Sequence, residues 1–175
     1  MKIKIITFLF LVNLNFVFAD ALSSYEAGKK FQDLGEWYQA IENYQETIKL
    51  NPSYALAYKG LAGSFYALNE YNEVLEQVIK AEKYRKNDPD LLNLRAFSQI
   101  GLGQLPEAKK NFEYILSSWP NDVNVRFGLA EIEIALGKNS SATSLYQDAL
   151  QRNPENRKAL LSLALLTYEA GNVVA

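Results

Sequence analysis

The chain has 175 residues, 49% hydrophobic and 22% charged, with a formal net charge of −2 and eleven tyrosines. That composition is globular, and its acidic excess argues against nucleic acid as the main partner. Cysteine and histidine are both absent, which excludes disulfides, thiolate nucleophiles, Cys/His metal sites and imidazole bases and gives no expectation of a metal or other cofactor.

The first nineteen residues, MKIKIITFLFLVNLNFVFA, place Lys2 and Lys4 ahead of an apolar stretch from Ile5 to Val12. Val17-Phe18-Ala19 and Ala19-Asp20-Ala21 both suit a signal peptidase, so residues 1–19 read as an export signal. Cleavage after Ala19, favoured over Ala21, removes two lysines and takes the net charge from −2 to −4. The alternatives are an uncleaved anchor, the only expected membrane contact, or a buried first helix. The apolar stretch is short for a membrane span.

From residue 21 onward a 34-residue period governs the chain. Residues 21–54 read as a helix carrying Gly28 and stopping at Leu34-Gly35, then a helix with Ala40 and Tyr44 that ends by Pro52. Residues 55–88 repeat this with Leu61, Ala62, Phe65 and Leu68, a stop at Asn69, and then Val74 and Val78; Lys86 stands where proline would fall. Residues 89–122 carry Ala96, Leu102-Gly103, Ala108, Phe112 and Pro120, and residues 123–156 carry Ala130, Leu136-Gly137, Ala142, Tyr146 and Pro154. Residues 157–175 supply a first helix only, with Ala164 and a stop at Gly171.

Physical chemistry explains the recurring residues. Glycine, and next to it asparagine, adopts the left-handed backbone that commonly ends a helix. Proline biases the residue before it away from helix, and a small residue inside the first helix lets its neighbour come close. Gly60 and Gly128 share one register and are expected to serve such packing. Gly63 either opens a notch for a partner side chain or is a tolerated accident. The G-x-G of GLGQLPEA, residues 101–108, is not a phosphate loop: Pro106 stands where a glycine is needed and no strand precedes it. Gly103 is the helix stop there, and Pro106 suits the first position of the next helix. Arg95, Gln99 and Glu133 break the apolar habit of their registers. Arg95 and Glu133 either pair or reach solvent along their stems. Glu131 and Glu133 are two apart on a helix and form no acid/base dyad, and no catalytic constellation is visible.

With its small residue, Leu-Gly, alanine, aromatic and proline in order, the chain resembles the tetratricopeptide repeat family. The resemblance covers residues 21–156 as four repeats (21–54, 55–88, 89–122 and 123–156) and 157–175 as part of a fifth. It implies an all-α fold, a right-handed superhelix of stacked helix-turn-helix hairpins, and a concave groove lined by the first helices. By the family's pattern the groove residues are Tyr25, Lys29, Lys59, Gly63, Tyr66, Asn93, Phe97, Ile100, Phe127, Glu131, Ile134, Leu161, Leu165 and Tyr168. Most are apolar or aromatic, and together they would form a patch larger than a monomer usually exposes.

The implied function is a non-catalytic scaffold that binds another protein, as a peptide or helix, with the export signal placing it in the periplasm or outside a bacterial cell. Part of the same protein could fill the groove instead. On this reading, changing Phe97 and Phe127 to serine abolishes partner binding and leaves helicity intact. The carboxylate clamp of chaperone-adaptor repeats would fall on Tyr25, Lys29, Gly60, Asp90 and Leu94, none of which matches. Leu160, Leu161, Leu163, Leu165 and Leu166 give the last helix an apolar surface where terminal repeats are usually polar. This suggests continuation past Ala175 or self-association, and with it the alternative of a structural segment of a larger envelope assembly.

Overall fold

Left-handed backbone ends each first helix whose stop is described. Gly35, Gly103 and Gly137 have φ of 75°, 72° and 71°, and Asn69 fills the same place at 60°. The residue after each stop donates its backbone N–H five residues back: Glu36 to Phe31 at 2.9 Å, Glu70 to Phe65 at 3.0 Å, Gln104 to Gln99 and Lys138 to Glu133 at 2.8 Å. These bonds satisfy carbonyls that the helix leaves open at its end.

The computed structural model describes residues 2–169, with side chains from residue 18 to residue 168; the expected stop at Gly171 lies outside them. Within that range the order is α1 (Lys2–Asp33), α2 (Trp37–Leu50), α3 (Ala55–Ala67), α4 (Tyr71–Glu82), α5 (Pro89–Gly101), α6 (Leu105–Ser118), α7 (Val123–Ala135), α8 (Asn139–Arg152) and α9 (Arg157–Glu169). The fold is all-α, its helices paired as hairpins at the expected period. Residues 1–19, read as an export signal, fall mostly outside the described side chains; the backbone of α1 continues through Ala19 and Asp20 without a break. Among the described residues no helix is long and apolar enough to cross a membrane.

Three first helices, α5, α7 and α9, begin on polar caps, whereas α3 follows Tyr54 without one. The Asp88 carboxylate accepts from the backbone N–H of Asp90 at 3.0 Å, Asp122 from Asn124 at 2.8 Å, and the Asn156 side chain from Ala159 at 3.1 Å. Two boundaries depart from expectation. α6 starts at Leu105, so Pro106 is the second residue of its first turn. α4 stops at Glu82, and the linker without a proline at 86 contains Asn87 at φ 57°.

The chain divides into two compact units, Met1–Leu94 and Arg95–Ala175, with the division inside α5. In the first unit α1 packs on α2 and α3, α2 on α3, and α3 on α4; in the second, α6 packs on α7, α7 on α8 and α8 on α9. The first core joins Ala40, Ile41, Tyr44, Ala57 and Leu61 to Tyr58, Ala62, Val74, Val78 and Leu91. The second contains Phe127, Ala130, Ala142, Tyr146, Ala149, Ala159 and Leu166.

Side-chain size is matched between each second helix and the first helix after it. A Cβ on Gly60 would stand 2.4 Å from Cζ of Tyr44, and one on Gly128 would stand 2.1 Å from Cζ of Phe112. Those two glycines make room for the rings, the packing role expected of them. At the same register the smaller Val78 is followed by Leu94, and Leu94 packs against its cluster. Ring burial of this kind is worth about 1.5–3 kcal/mol per side chain, so the pairing is a principal term in stacking the hairpins.

Candidate functional site

The first unit holds a cavity of about 340 Å³ bordered by α1, α3 and α5, with the Tyr44 ring of α2 also among its walls. Tyr25, Lys29, Gln32 and Asp33 recur on α1 at near-helical spacing and form one wall. Leu56, Lys59, Gly60 and Gly63 form another, and Asp90 and Leu94 of α5 close it. Tyr44 donates its hydroxyl hydrogen to Oε1 of Gln32 at 2.6 Å; burial is the main cause that pushes its ionisation well above the ordinary tyrosine range. A Cβ on Gly63 would meet only Nε2 of Gln32, at 3.5 Å. That is ordinary contact, so this glycine widens the cavity without being required by packing.

The charges are arranged unevenly. Nζ of Lys59 lies 2.6 Å from the Asp90 carboxylate and 3.7 Å from that of Asp88, which also meets Arg85 at 3.2 Å. Lys29 and Asp33 border the same cavity and form no ion pair among the described residues. A ligand would therefore meet one fixed ion pair and two charges still open to it.

Four expected groove residues, Tyr25, Lys29, Lys59 and Gly63, are brought together here. Tyr25 is held by Tyr44 and Tyr54, at ring distances of 5.8 and 5.0 Å. Tyr66 is half-buried and packs on Tyr71 at 5.9 Å, and Asn93 is only 8% exposed. All five positions of the family's carboxylate clamp border this cavity. They present an acid at Asp90 and an aliphatic side chain at Leu94 in place of the cations a carboxylate needs.

In the second unit the expectation of an exposed aromatic patch is corrected. Phe127 is 6% exposed, and its ring lies 6.1 Å from Phe97 and 5.5 Å from Tyr146. Phe97 meets Phe112 edge-on at 5.1 Å. Nζ of Lys158 sits 4.5 Å from the Phe127 ring centre and 5.8 Å from that of Phe97, a cation–π cover. Both phenylalanines thus belong to packing between helices, and serine at both would loosen the fold itself. Glu131 accepts from the Tyr146 hydroxyl at 3.0 Å. Ile100 and Ile134 are half-buried, and Ile134 packs on the core. Leu161, Leu165 and Tyr168 are 62%, 54% and 72% exposed along one face of α9. Arg95 and Glu133 are each half-buried.

Gln32, Asp33, Tyr44 and Leu56 in the cavity, and Lys158 over the rings, were not expected from the sequence. The spacing of Tyr44 to Gly60, matched by Phe112 to Gly128, was a readable signal for the ring.

The sequence pattern of the tetratricopeptide repeat matches residues 19–90 and 133–175. This chain belongs to the tetratricopeptide repeat family. It is 25% identical over 166 residues to the TPR repeat-containing protein MJ1428 of Methanocaldococcus jannaschii, covering 90% of this chain and 29% of that protein. It is 26% identical over 107 residues to the Hsp70-Hsp90 organising protein of Plasmodium falciparum, covering 61% of this chain and 42% of that one. The chain therefore spans less than half the length of either relative. Among solved structures it resembles TTC0263, a thermophilic TPR protein of Thermus thermophilus, at a TM-score of 0.72 and 21% identity over 85% of this chain and 82% of that one. The first TPR of Spaghetti (RPAP3), bound to the HSP90 peptide SRMEEVD, matches at a TM-score of 0.62 and 23% identity over 69% of this chain and 98% of that one. At these identities the structural likeness concerns the fold.

Proposed function

We propose that this tetratricopeptide repeat chain is a non-catalytic scaffold that holds a peptide segment of another protein in the cavity of its first unit. The observation that carries this reading is the cavity itself, a cleft with aromatic and aliphatic surface from Tyr25, Tyr44, Leu56 and Leu94 and with Lys29 and Asp33 outside any ion pair on its wall. Pockets of this size, with a few convergent polar groups, are the usual form of a binding site. Asp90, standing where the clamp of chaperone adaptors needs a cation, turns the site away from a free C-terminal carboxylate. An internal peptide segment with one polar side chain directed at Lys29 or Asp33 fits better.

Peptides selected from a random display library on the full chain should lose binding to Gly63→Leu, whose side chain would fill the notch, while helical circular dichroism is unchanged. Retained binding would place the peptides elsewhere. Residues 1–19 support an exported location as part of this proposal. Expression in a bacterium should then yield a periplasmic chain whose N-terminal sequencing begins at Asp20; a cytoplasmic chain beginning at Met1 would remove the export reading.

A second reading rests on the exposed Leu161, Leu165 and Tyr168 of α9, a face suited to self-association in a structural role. Analytical ultracentrifugation of Leu161→Glu/Leu165→Glu against the parent distinguishes it, since only a self-associating chain changes its sedimentation.

A further inference from the structure

A second cavity lies on the other side of α3. At 100° per residue, Leu56, Lys59, Gly60 and Gly63 cover one side of that helix, and Tyr58, Leu61 and Phe65 face nearly the opposite way. The latter three, with Gln45 and Ile48 of α2 and Glu73, Glu76, Gln77 and Lys80 of α4, enclose about 380 Å³. Ile48, Leu61 and Phe65 make its apolar part. Apart from Gln45, its polar residues form a stripe of α4, because positions three, four and seven apart lie on one helix face.

Two members of that stripe lack partners. Gln77 is only 7% exposed, borders the cavity, and its amide makes no hydrogen bond among the described residues. Neither atom of that amide is sealed from solvent, so both are open to a ligand in the cavity. Glu73, one turn before it, forms no ion pair among the described residues, whereas Glu76 is paired with Lys80 at 2.5 Å. The lining therefore carries one negative charge outside any ion pair beside an amide with no protein partner, above aromatic and aliphatic surface.

We propose that this cavity binds an arginine side chain of a partner peptide, independently of the cavity between α1, α3 and α5. The guanidinium is a planar fork of five donors. It can give one hydrogen bond to the Gln77 carbonyl oxygen and others to the Glu73 carboxylate while its stem packs on Phe65 and Ile48. Lysine carries the charge but not the fork, and it is more strongly hydrated. An acidic side chain would meet Glu73 directly.

The test is a ¹H–¹⁵N titration of the full chain with acetyl-Leu-Arg-Leu-amide and its Lys, Gln and Glu counterparts. Arginine should move amides of α2 and α4 around the cavity and leave Lys29 and Gly63 unmoved; the Gln and Glu peptides should bind about tenfold more weakly, the worth of a charged hydrogen bond. Glu73→Gln and Gln77→Leu should each weaken the arginine peptide by about the same factor. Gln77→Leu should fold, because Leu145 holds that register in the fourth repeat, and Glu73 is exposed, so Glu73→Gln is safe in any case. The proposal is overturned if the arginine peptide moves no amides or only those of the other cavity, if the Glu peptide binds equally, or if Glu73→Gln binds as tightly as the parent.

Discussion

Gly60 and Gly63 sit three residues apart in one helix and do opposite things. Gly60 is the space that the Tyr44 ring occupies, whereas Gly63 faces a cavity with only Gln32 in ordinary contact. Gly63→Ala should therefore stabilise the chain by about 0.5–1 kcal/mol, the helical advantage of alanine over glycine. Gly60→Leu should destabilise it by about 1–3 kcal/mol through overpacking. Adding Tyr44→Val to Gly60→Leu recreates the Val78–Leu94 combination of the next repeat and should recover most of that loss, as urea unfolding would show. Equal costs for the single and double variants would mean that the ring does not set the register. The repeat grid alone marked Gly60 and Gly128 as packing positions. The ring each glycine admits is legible only when residues sixteen apart on two different helices are compared, as Tyr44 with Gly60 and Phe112 with Gly128. Phe97 and Phe127 were misjudged for a related reason: a family's groove position says which way a helix face points, and not whether Lys158 of a later helix covers it.

Helix ends were legible wherever one residue determines them, as at Gly103, and less so where a feature is missing. Without proline at position 86, α4 ends at Glu82 and Asn87 provides a left-handed turn before the Asp88 cap. Between α7 and α8 the decisive contacts are long-range ones that no short motif announces. Arg126 pairs with Asp148, and its guanidinium also donates to the backbone carbonyls of Asp122 at 3.0 Å and Pro120 at 2.8 Å. The hydrogen bond from Arg126, aided by Arg152, holds the Asp148 carboxyl below the usual aspartate range. A carboxyl depressed in the folded state contributes stability above its unfolded value, about 3.9, and loses it as pH falls through the folded value. Asp148→Asn should thus lower stability at pH 7 by about 1 kcal/mol or less, since the carboxylate is partly exposed and solvent screens the pair. Thermal melts of the variant and parent should converge at the acid end. A gap that persists undiminished at pH 2 would assign the loss to packing and not to charge.

Within each unit, helices pack on those next to them in the chain, so stability should be a local sum and not one all-or-none quantity. The two tryptophans allow this to be read directly: Trp37 opens α2 in the first unit, and Trp119 follows α6 in the second. A Cβ on Gly128 would strike the Phe112 ring at 2.1 Å, between the two helices that flank Trp119. Gly128→Ala should therefore shift the urea transition seen by Trp119, in a Trp37→Phe background, by an amount corresponding to about 1–3 kcal/mol. The transition seen by Trp37, in a Trp119→Phe background, should move by much less. Equal shifts from both probes would mean that the hairpins unfold as one cooperative body. Unequal shifts would mean that ligand binding in the first unit stabilises chiefly that unit, by the logarithm of ligand concentration over its dissociation constant. Peptides for either cavity of the first unit could then be recognised by the Trp37 transition alone, with Trp119 as an internal reference.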